Sequence, residues 1–345
     1  MPPFVSNNSE SKSSDLFLNI LNAPHFLPCR AVDGIPAEVS GAVFCRPAAA
    51  GQIFGVLFMD ILPGLVAMVA GSHQPLAHRR VNLQIDHLIR CRQAQRGDTE
   101  EFVRGAVERF AGVQNVYVAE ENDHIEAVAL AVPVTLQGRP GSYLFGLCGQ
   151  GSLLLAGLVD TLCAQQKLRG AGFVVAVPAS PEQSTLLQDK GFQKAFALRC
   201  LPREVERNLW SQAEFDSVTA KKLCELRAKY WPDTVQLPPE QMGEVLRDLY
   251  SRGATIVSSE QGYGIYFRRE DTLYFVEMMA ENDRAAEVLM EAAREKEVIV
   301  EKAVITVGAA QNLFLGEGTR QEYGLIRFEG EPFDVSESYM RLMMD

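Results

Sequence analysis

The 345-residue sequence predicts an α/β fold made of two tandem copies of one unit, each a mixed, twisted sheet flanked by helices. Three observations predict it. From residue 81 onward the apolar spacing switches repeatedly between the helical and the strand period. The same order of elements comes round twice, with a boundary near 205–215. The composition, 47% hydrophobic and 22% charged, is that of a globular chain long enough for two domains.

The first copy begins with two helices. "QIDHLIRCRQA" has helical spacing, and "GDTEEFVRGAVERFAG" follows with Asp98 as the expected N-cap, Glu101 three residues on and Gly112 as the stop. "VYVAE" and "HIEAVALAVPVTL" read as a hairpin about the turn "END". "SYLFGLC" is the next strand. After "GQG" a helix from Ser152 to Leu168 puts Leu155, Leu158, Val159 and Leu162 on one face. "GFVVAVPAS" is a buried strand, "PEQSTLLQDKG" a short helix and "FQKAFALRCL" another strand.

The second copy repeats the plan. "DSVTAKKLCELRAKYW" is a helix, and "PPEQMGEVLRDLYSRG" is a helix with proline at its start and Gly253 at its end. "ATIVSS" and "YGIYFRR" flank the turn "EQG". "DTLYFVEMMA" is a strand, "NDRAAEVLMEAAREKE" an Asn/Asp-capped helix, and "VIVEKAVITV" and "EYGLIRFEG" are strands.

Residues 1–80 differ from the rest. Their five acids and five bases cancel, so residues 81–345 carry the whole net charge of −11, and eight of the seventeen prolines lie here. The opening "SNNSESKSSD" has the composition of a disordered segment. Within this region, "GQIFGVLFMDILPGLVAMVAG" at 51–71 has the length of a membrane span. Its ten Ile, Leu, Val and Phe residues favour insertion by roughly 3 to 6 kcal/mol, against about 3 for the central Asp60. With Pro63 and several glycines added, the balance argues against a membrane. Residues 1–80 are expected to be an extension that adds little to the core, followed by lobes at 81–207 and 208–345.

The charge of −11 and a pI of about 5.1 argue against a nucleic-acid partner, which needs a basic face. Seven scattered cysteines form neither a zinc pattern nor a disulfide framework, so no metal is expected and a reducing, cytoplasmic setting is. No histidine lies beyond His124, which weakens a Ser-His-Asp or Cys-His hydrolase reading.

The stretches "NVYVAEENDHIEAVALAVPVTLQG", "SYLFGLC", "GQGSLLLAGLVDTL", "GFVVAVPAS" and "LLQDKGFQKA" resemble, in that order, the GNAT superfamily of N-acetyltransferases. They are most similar to the two-lobed bacterial members, whose second lobe is degenerate. The resemblance covers most of 85–345 and implies an acetyl-CoA-dependent N-acetyltransferase acting on a small-molecule or peptide amine. It implies that Leu147, Cys148, Gly149, Gln150, Gly151, Ser152 and Leu153 hold the cofactor. There a glycine loop and a helix N-terminus face the pyrophosphate.

The sequence departs from the family at three places. In the family's R/Q-x-x-G-x-G/A loop, Cys148 stands for the Arg or Gln and Leu153 for the last small residue, and the loop is short. In "LQDKGF", Leu187 replaces the tyrosine that protonates the thiolate. In the second lobe "ENDR" stands where a glycine loop would bind phosphate, so no cofactor is expected there. Glu120 and Glu126, with Glu121, lie on the hairpin that borders the family's acceptor cleft and are the candidate bases; Glu277 is a candidate for the inter-lobe cleft. The alternative reading is a catalytically silent GNAT-like protein that binds a ligand or partner between its lobes. The acidic balance suggests a polyamine or aminoglycoside-like cation as acceptor. The oligomeric state is left open.

Overall fold

The computed structural model describes residues 85–344 apart from 91, 94–97, 122–123 and 150. The apolar run at 51–71 lies outside the described residues. Among the described residues no helix is long and apolar enough to cross a membrane.

After helical residues 85–90, helix α1 (Glu100–Gly105) begins at Thr99, whose hydroxyl accepts from Phe102 N–H at 3.2 Å. Thr99 is thus the N-cap, not Asp98 as expected; Asp98 turns inward to an ion pair with Arg92. The helix widens into a π turn over Ala106–Ala111 and stops at Gly112, where φ is +83°. Strands β1 (Val116–Glu121), β2 (His124–Leu136) and β3 (Arg139–Gly149) form an antiparallel meander. Helix α2 (Ser152–Leu168) crosses back to β4 (Phe173–Ala176), which pairs parallel with β3. Helix α3 (Pro181–Asp189), capped by Ser180, leads to β5 (Gln193–Glu204).

The second pass runs β6 (Glu214–Phe215), α4 (Ala220–Tyr230), α5 (Pro239–Ser251), β7 (Thr255–Ser259), β8 (Gly262–Arg269), β9 (Thr272–Ala280), α6 (Asp283–Lys296), β10 (Lys302–Gly308) and β11 (Thr319–Phe328). The two-residue β6 is absent from the sequence reading.

Among the described residues, all eleven strands join one sheet, in the order β1-β2-β3-β4-β11-β5-β10-β9-β8-β7-β6. The last strand of each copy sits beside the parallel strand of the other. β11 pairs with β4, β5 pairs with β10, and β5 and β11 meet at the centre as an antiparallel pair. The two lobes therefore share their backbone hydrogen bonds as well as an apolar surface.

Three cores follow from this sheet. On one face a continuous core spans both lobes, with Val103 and Phe110 near α1, Leu223 on α4 and Met242 on α5 against Leu130, Phe145 and Ile265. The other face carries two separate cores. Leu158, Val159 and Leu162 of α2 cover Ala129, Leu144 and Val174. Leu289 and Ala293 of α6 cover Phe275 and Ile305.

Candidate functional site

The site begins where two parallel strands part. The β3–β4 ladder ends at Leu144 and Ala176, although β3 continues to Gly149. Just beyond that point β3 carries a bulge, because Phe145 pairs with Leu130 and Cys148 with Val128, so two residues of β3 oppose one of β2. Gly146, one of the two, has φ +64°, a conformation that favours glycine. The outer edge of β3 from Phe145 onward thus faces a wedge rather than a strand.

At the tip of the wedge the chain turns through Gly149 and Gly151 into α2. Gly151 has φ +83°, is exposed, and leaves α2 with no side-chain cap. A Cβ placed on Gly151 meets nothing within 4 Å. Ser152 and Leu153 are exposed in the first turn, Leu153 at 87%. An uncapped helix start with open space before it presents backbone donors and the positive end of the helix dipole to an anion.

The wedge is closed from inside. Gln183, in the first turn of α3, donates from Nε2 to Leu147 O at 2.9 Å, and its Oε1 accepts from Ala179 N–H. Leu187, one turn further along α3, is buried and also lines the wedge. The free volume left between them is about 20 Å³.

A second cavity, of about 310 Å³, lies between the lobes. It is lined by Arg92, Asp98, α1 and α5, with Phe102 and Met344 as apolar surface. Arg92 lines both cavities, so its guanidinium stands between wedge and cleft. The Arg92–Asp98 pair is 2.6 Å apart and nearly buried, and the guanidinium lies 4.9 Å from the centre of the Phe145 ring. Other ion pairs along the wall are Arg109–Glu244 at 2.9 Å, Arg252–Asp248 at 2.5 Å, and Arg247–Glu244.

The residues singled out in the sequence fall as follows. Leu147, Cys148, Gly149, Gly151, Ser152 and Leu153 line up from the wedge to the helix start, with Leu147 and Cys148 buried; Gln150 lies outside the described residues. Glu120 is the penultimate residue of β1 and Glu126 lies on β2, both half-buried, and neither lines the wedge or the cleft. The carboxylates that do line the cleft are Asp98, Glu101, Glu244 and Asp248. Glu277 is not at the inter-lobe cleft. It is fully buried in the second lobe, where it accepts from Tyr263 Oη at 2.6 Å and Tyr339 Oη at 3.0 Å and lies 3.5 Å from Arg227. Burial first, and the Glu277 charge second, push both phenols well above their usual range.

Sequence reasoning missed Gln183, Arg92 and Arg247. Gln183 was hidden inside a well-formed helix signal. The signal for Arg92 was present: a basic residue four positions after Leu88 and three after Ile89, on the face that the helix buries.

The wedge, the bulge and the glycine corner belong to a known architecture: the chain has the fold of the GCN5-related N-acetyltransferases. A GCN5-related N-acetyltransferase from Kribbella flavida superposes with a TM-score of 0.57 at 16% identity, over 71% of this chain and 68% of that one. One from Anabaena variabilis gives 0.56 at 15% identity, over 74% and 71%. A probable N-acyltransferase from Enterococcus faecalis, otherwise a conserved protein of unknown function, gives 0.56 at 12% identity, over 75% and 71%. No protein-family model matches the sequence, and no curated protein matches it either.

Proposed function

We propose that the protein transfers an acetyl group from acetyl-CoA to an amine, with the donor laid along the open edge of β3 and the acceptor entering through the α1–α5 cleft. The observation that carries this reading is the uncapped, exposed start of α2 at the end of a bulged strand that has parted from its neighbour. In this reading the N–H groups of Gly151, Ser152 and Leu153 hold the pyrophosphate through fixed dipoles. The peptide groups of Phe145 to Leu147 offer ladder bonds to the extended pantetheine arm. Gln183 occupies that path and has to turn out of it.

The reaction joins the amine nitrogen to the thioester carbonyl carbon and breaks the carbon–sulfur bond; the thiolate takes a proton as it leaves. Leu187 cannot supply that proton, so solvent does, which forfeits a general-acid contribution of about 10²–10⁴-fold. Positioning of amine against thioester supplies the remaining acceleration. Among carboxylates that could receive the amine proton, Asp98 and Glu101 line the cleft, while Glu120 and Glu126 rest on the family resemblance alone. The four described cysteines that form no disulfide suit a reducing, cytoplasmic setting.

The test separates binding from folding. Acetyl-CoA at a hundred times its dissociation constant adds about 2.7 kcal/mol and raises the melting temperature by several degrees. Ser152→Asp puts an anion in the first turn of α2, which favours the bare helix by about 0.3–1 kcal/mol but repels pyrophosphate. The variant is expected to melt no lower than the wild type and to lose the shift. Were the wild type itself unmoved by millimolar acetyl-CoA, with no heat in calorimetry, the second reading takes over: a silent scaffold. The Gln183 bridge across the wedge is the specific observation in its favour.

A further inference from the structure

The inter-lobe cleft has a charge gradient. Its buried side holds Asp98, Glu244 and Asp248, with side-chain exposures of 6%, 11% and 13%, and one buried cation, Arg92 at 7%. Its open side holds the guanidinium groups of Arg109, Arg247 and Arg252, exposed at 47%, 60% and 35%, and one exposed acid, Glu101. The lining as a whole is neutral, two charges negative within and two positive at the mouth. The arrangement is held from both lobes, because Arg109 on the π turn of the first lobe pairs with Glu244 on α5 of the second.

A polycation entering such a cleft meets three guanidinium groups first. A neutral amine offers no acceptor to these guanidinium groups, whose ion pairs with Glu244 and Asp248 each engage one nitrogen. A molecule with an ammonium at one end and a carboxylate at the other matches both, amine inward and carboxylate at the mouth. That orientation also delivers the amine to the end where Arg92 borders the wedge. A volume of about 310 Å³ is at the small end of ligand sites, large enough for an amino acid or dipeptide and too small for a folded chain.

We infer that the acceptor is a zwitterion of amino-acid or dipeptide size, held amine-first, with Arg247 and Arg252 reading its carboxylate. This rests on the acetyltransferase reading for the fate of the amine, but not for the binding itself. The acidic balance of the whole chain, which suggested a polycation, is the wrong guide here, because the cleft does not share it.

The experiment is calorimetry on the full chain without acetyl-CoA, using alanyl-alanine, its C-terminal amide and spermidine as probes. Alanyl-alanine is expected to bind, the amide to bind at least tenfold more weakly, and spermidine more weakly than alanyl-alanine. Arg247→Gln and Arg252→Gln are each expected to weaken alanyl-alanine several-fold and leave the amide unchanged. Both side chains are exposed enough for the variants to fold, and unchanged melting curves check that. Spermidine binding tighter than alanyl-alanine, equal affinity for acid and amide, or no binding of alanyl-alanine overturns the inference. The acetyl-CoA melting shift is read separately, so a failed acceptor class and a failed acetyltransferase reading give different results.

Discussion

Gln183 in the first lobe and Gln311 in the second each span the gap between two parting parallel strands, and they do so with the same two bonds. Gln183 donates to Leu147 O and accepts from Ala179 N–H; Gln311 donates to Met278 O at 3.1 Å and accepts from Gly308 N–H at 2.9 Å. Leu147 and Met278 each lie five residues before the first residue of the following helix. Both strands are bulged nearby, β3 between Phe145 and Cys148 and β9 at Val276, which has no partner between Phe275 and Glu277. The primary amide imitates a missing strand: one donor and one acceptor on a planar group, the pattern an extended peptide or pantetheine amide presents.

The two wedges differ in how firmly they are shut. Gln311 is 5% exposed and sits on a loop that Arg199 clamps with hydrogen bonds to the carbonyls of Gln311, Leu313, Phe314 and Glu317, at 2.6 to 2.8 Å. The helix behind it is capped, since Asn282 Oδ1 accepts from Ala285 N–H, and Asp283 Oδ1 in its first turn holds the loop by accepting from Phe314 N–H. Gln183 is half-buried on an exposed helical turn, and the helix behind its wedge has no side-chain cap. The helix start of the second lobe has one of its backbone donors satisfied by a side-chain amide oxygen, while the helix start of the first lobe has no side-chain cap. Degeneration of a repeated unit is here a change in which groups satisfy the backbone, with the fold retained.

The strongest way to break the second wedge is to remove its clamp. Arg199 is on β5 of the first lobe, so Arg199→Met leaves four carbonyls in the second lobe without their donor. Hydrogen bonds to a charged group contribute about 1.5–3 kcal/mol each, though not additively, so a loss of about 4 kcal/mol or more is expected. Urea denaturation measures it. A loss below 1 kcal/mol means that the loop holds itself and that Arg199 is not what shuts the second wedge.

Gln311→Ala comes next. It removes the partner of a buried N–H and a buried carbonyl, at a cost of about 2–4 kcal/mol. The same denaturation curves give the number, and a cost equal to that of Gln183→Ala erases the distinction between the wedges.

Alkaline pH sharpens the picture of the second lobe as a sealed core. The hydroxyls of Tyr263 and Tyr339 titrate well above the ordinary phenol range, chiefly because of burial and then because of the Glu277 charge they face. Because the folded values lie above the unfolded ones, this stability is complete below pH 10 and is lost as the pH rises beyond it, where only the unfolded chain sheds the protons. The urea midpoint is expected to hold to about pH 9.5 and fall steeply by pH 11. Tyr339→Phe is expected to flatten that fall while losing some stability at neutral pH.

Much of this fold was legible, for a local reason. Caps, stops and apolar spacing are properties of a few adjacent residues, so Gly112, Gly253, Asn282 and the face of α2 could be read directly. The Asp98 cap failed because a carboxylate in that position had a stronger partner, Arg92, and Thr99 was available to cap in its place. The exchange of β5 and β11 between lobes was not legible, since "EYGLIRFEG" has the same spacing whichever strand it joins. The glycine corner was visible as a motif. Its closure by Gln183 was not, because the residue's position in α3 says nothing about which strand its amide reaches. The same limit set Glu120 and Glu126 as bases: the hairpin was right, but which carboxylates line the cleft depends on how α5 of the other lobe packs against α1.

The smallest expected change in stability is the one that speaks most directly to function. Gln183→Ala removes two hydrogen bonds, but at a half-exposed site water replaces them, so the cost is expected to stay below about 1 kcal/mol. If acetyl-CoA has to displace the Gln183 amide before its own amides reach Leu147, the variant starts with that work already done. Two neutral hydrogen bonds at a net ~0.5–1.5 kcal/mol each correspond to roughly a five- to hundredfold gain in acetyl-CoA affinity, with about tenfold as the central expectation. Gln311→Ala, at the equivalent bond in the second lobe, is expected to leave that affinity unchanged, because the helix start behind it is capped and carries Asp283. Calorimetry on the two variants side by side decides between the wedges. A tighter first wedge and an unchanged second one fit a glutamine that stands in for the cofactor. Unchanged affinity in both removes Gln183 from the path of the pantetheine arm, and a gain in Gln311→Ala moves the site to the other lobe.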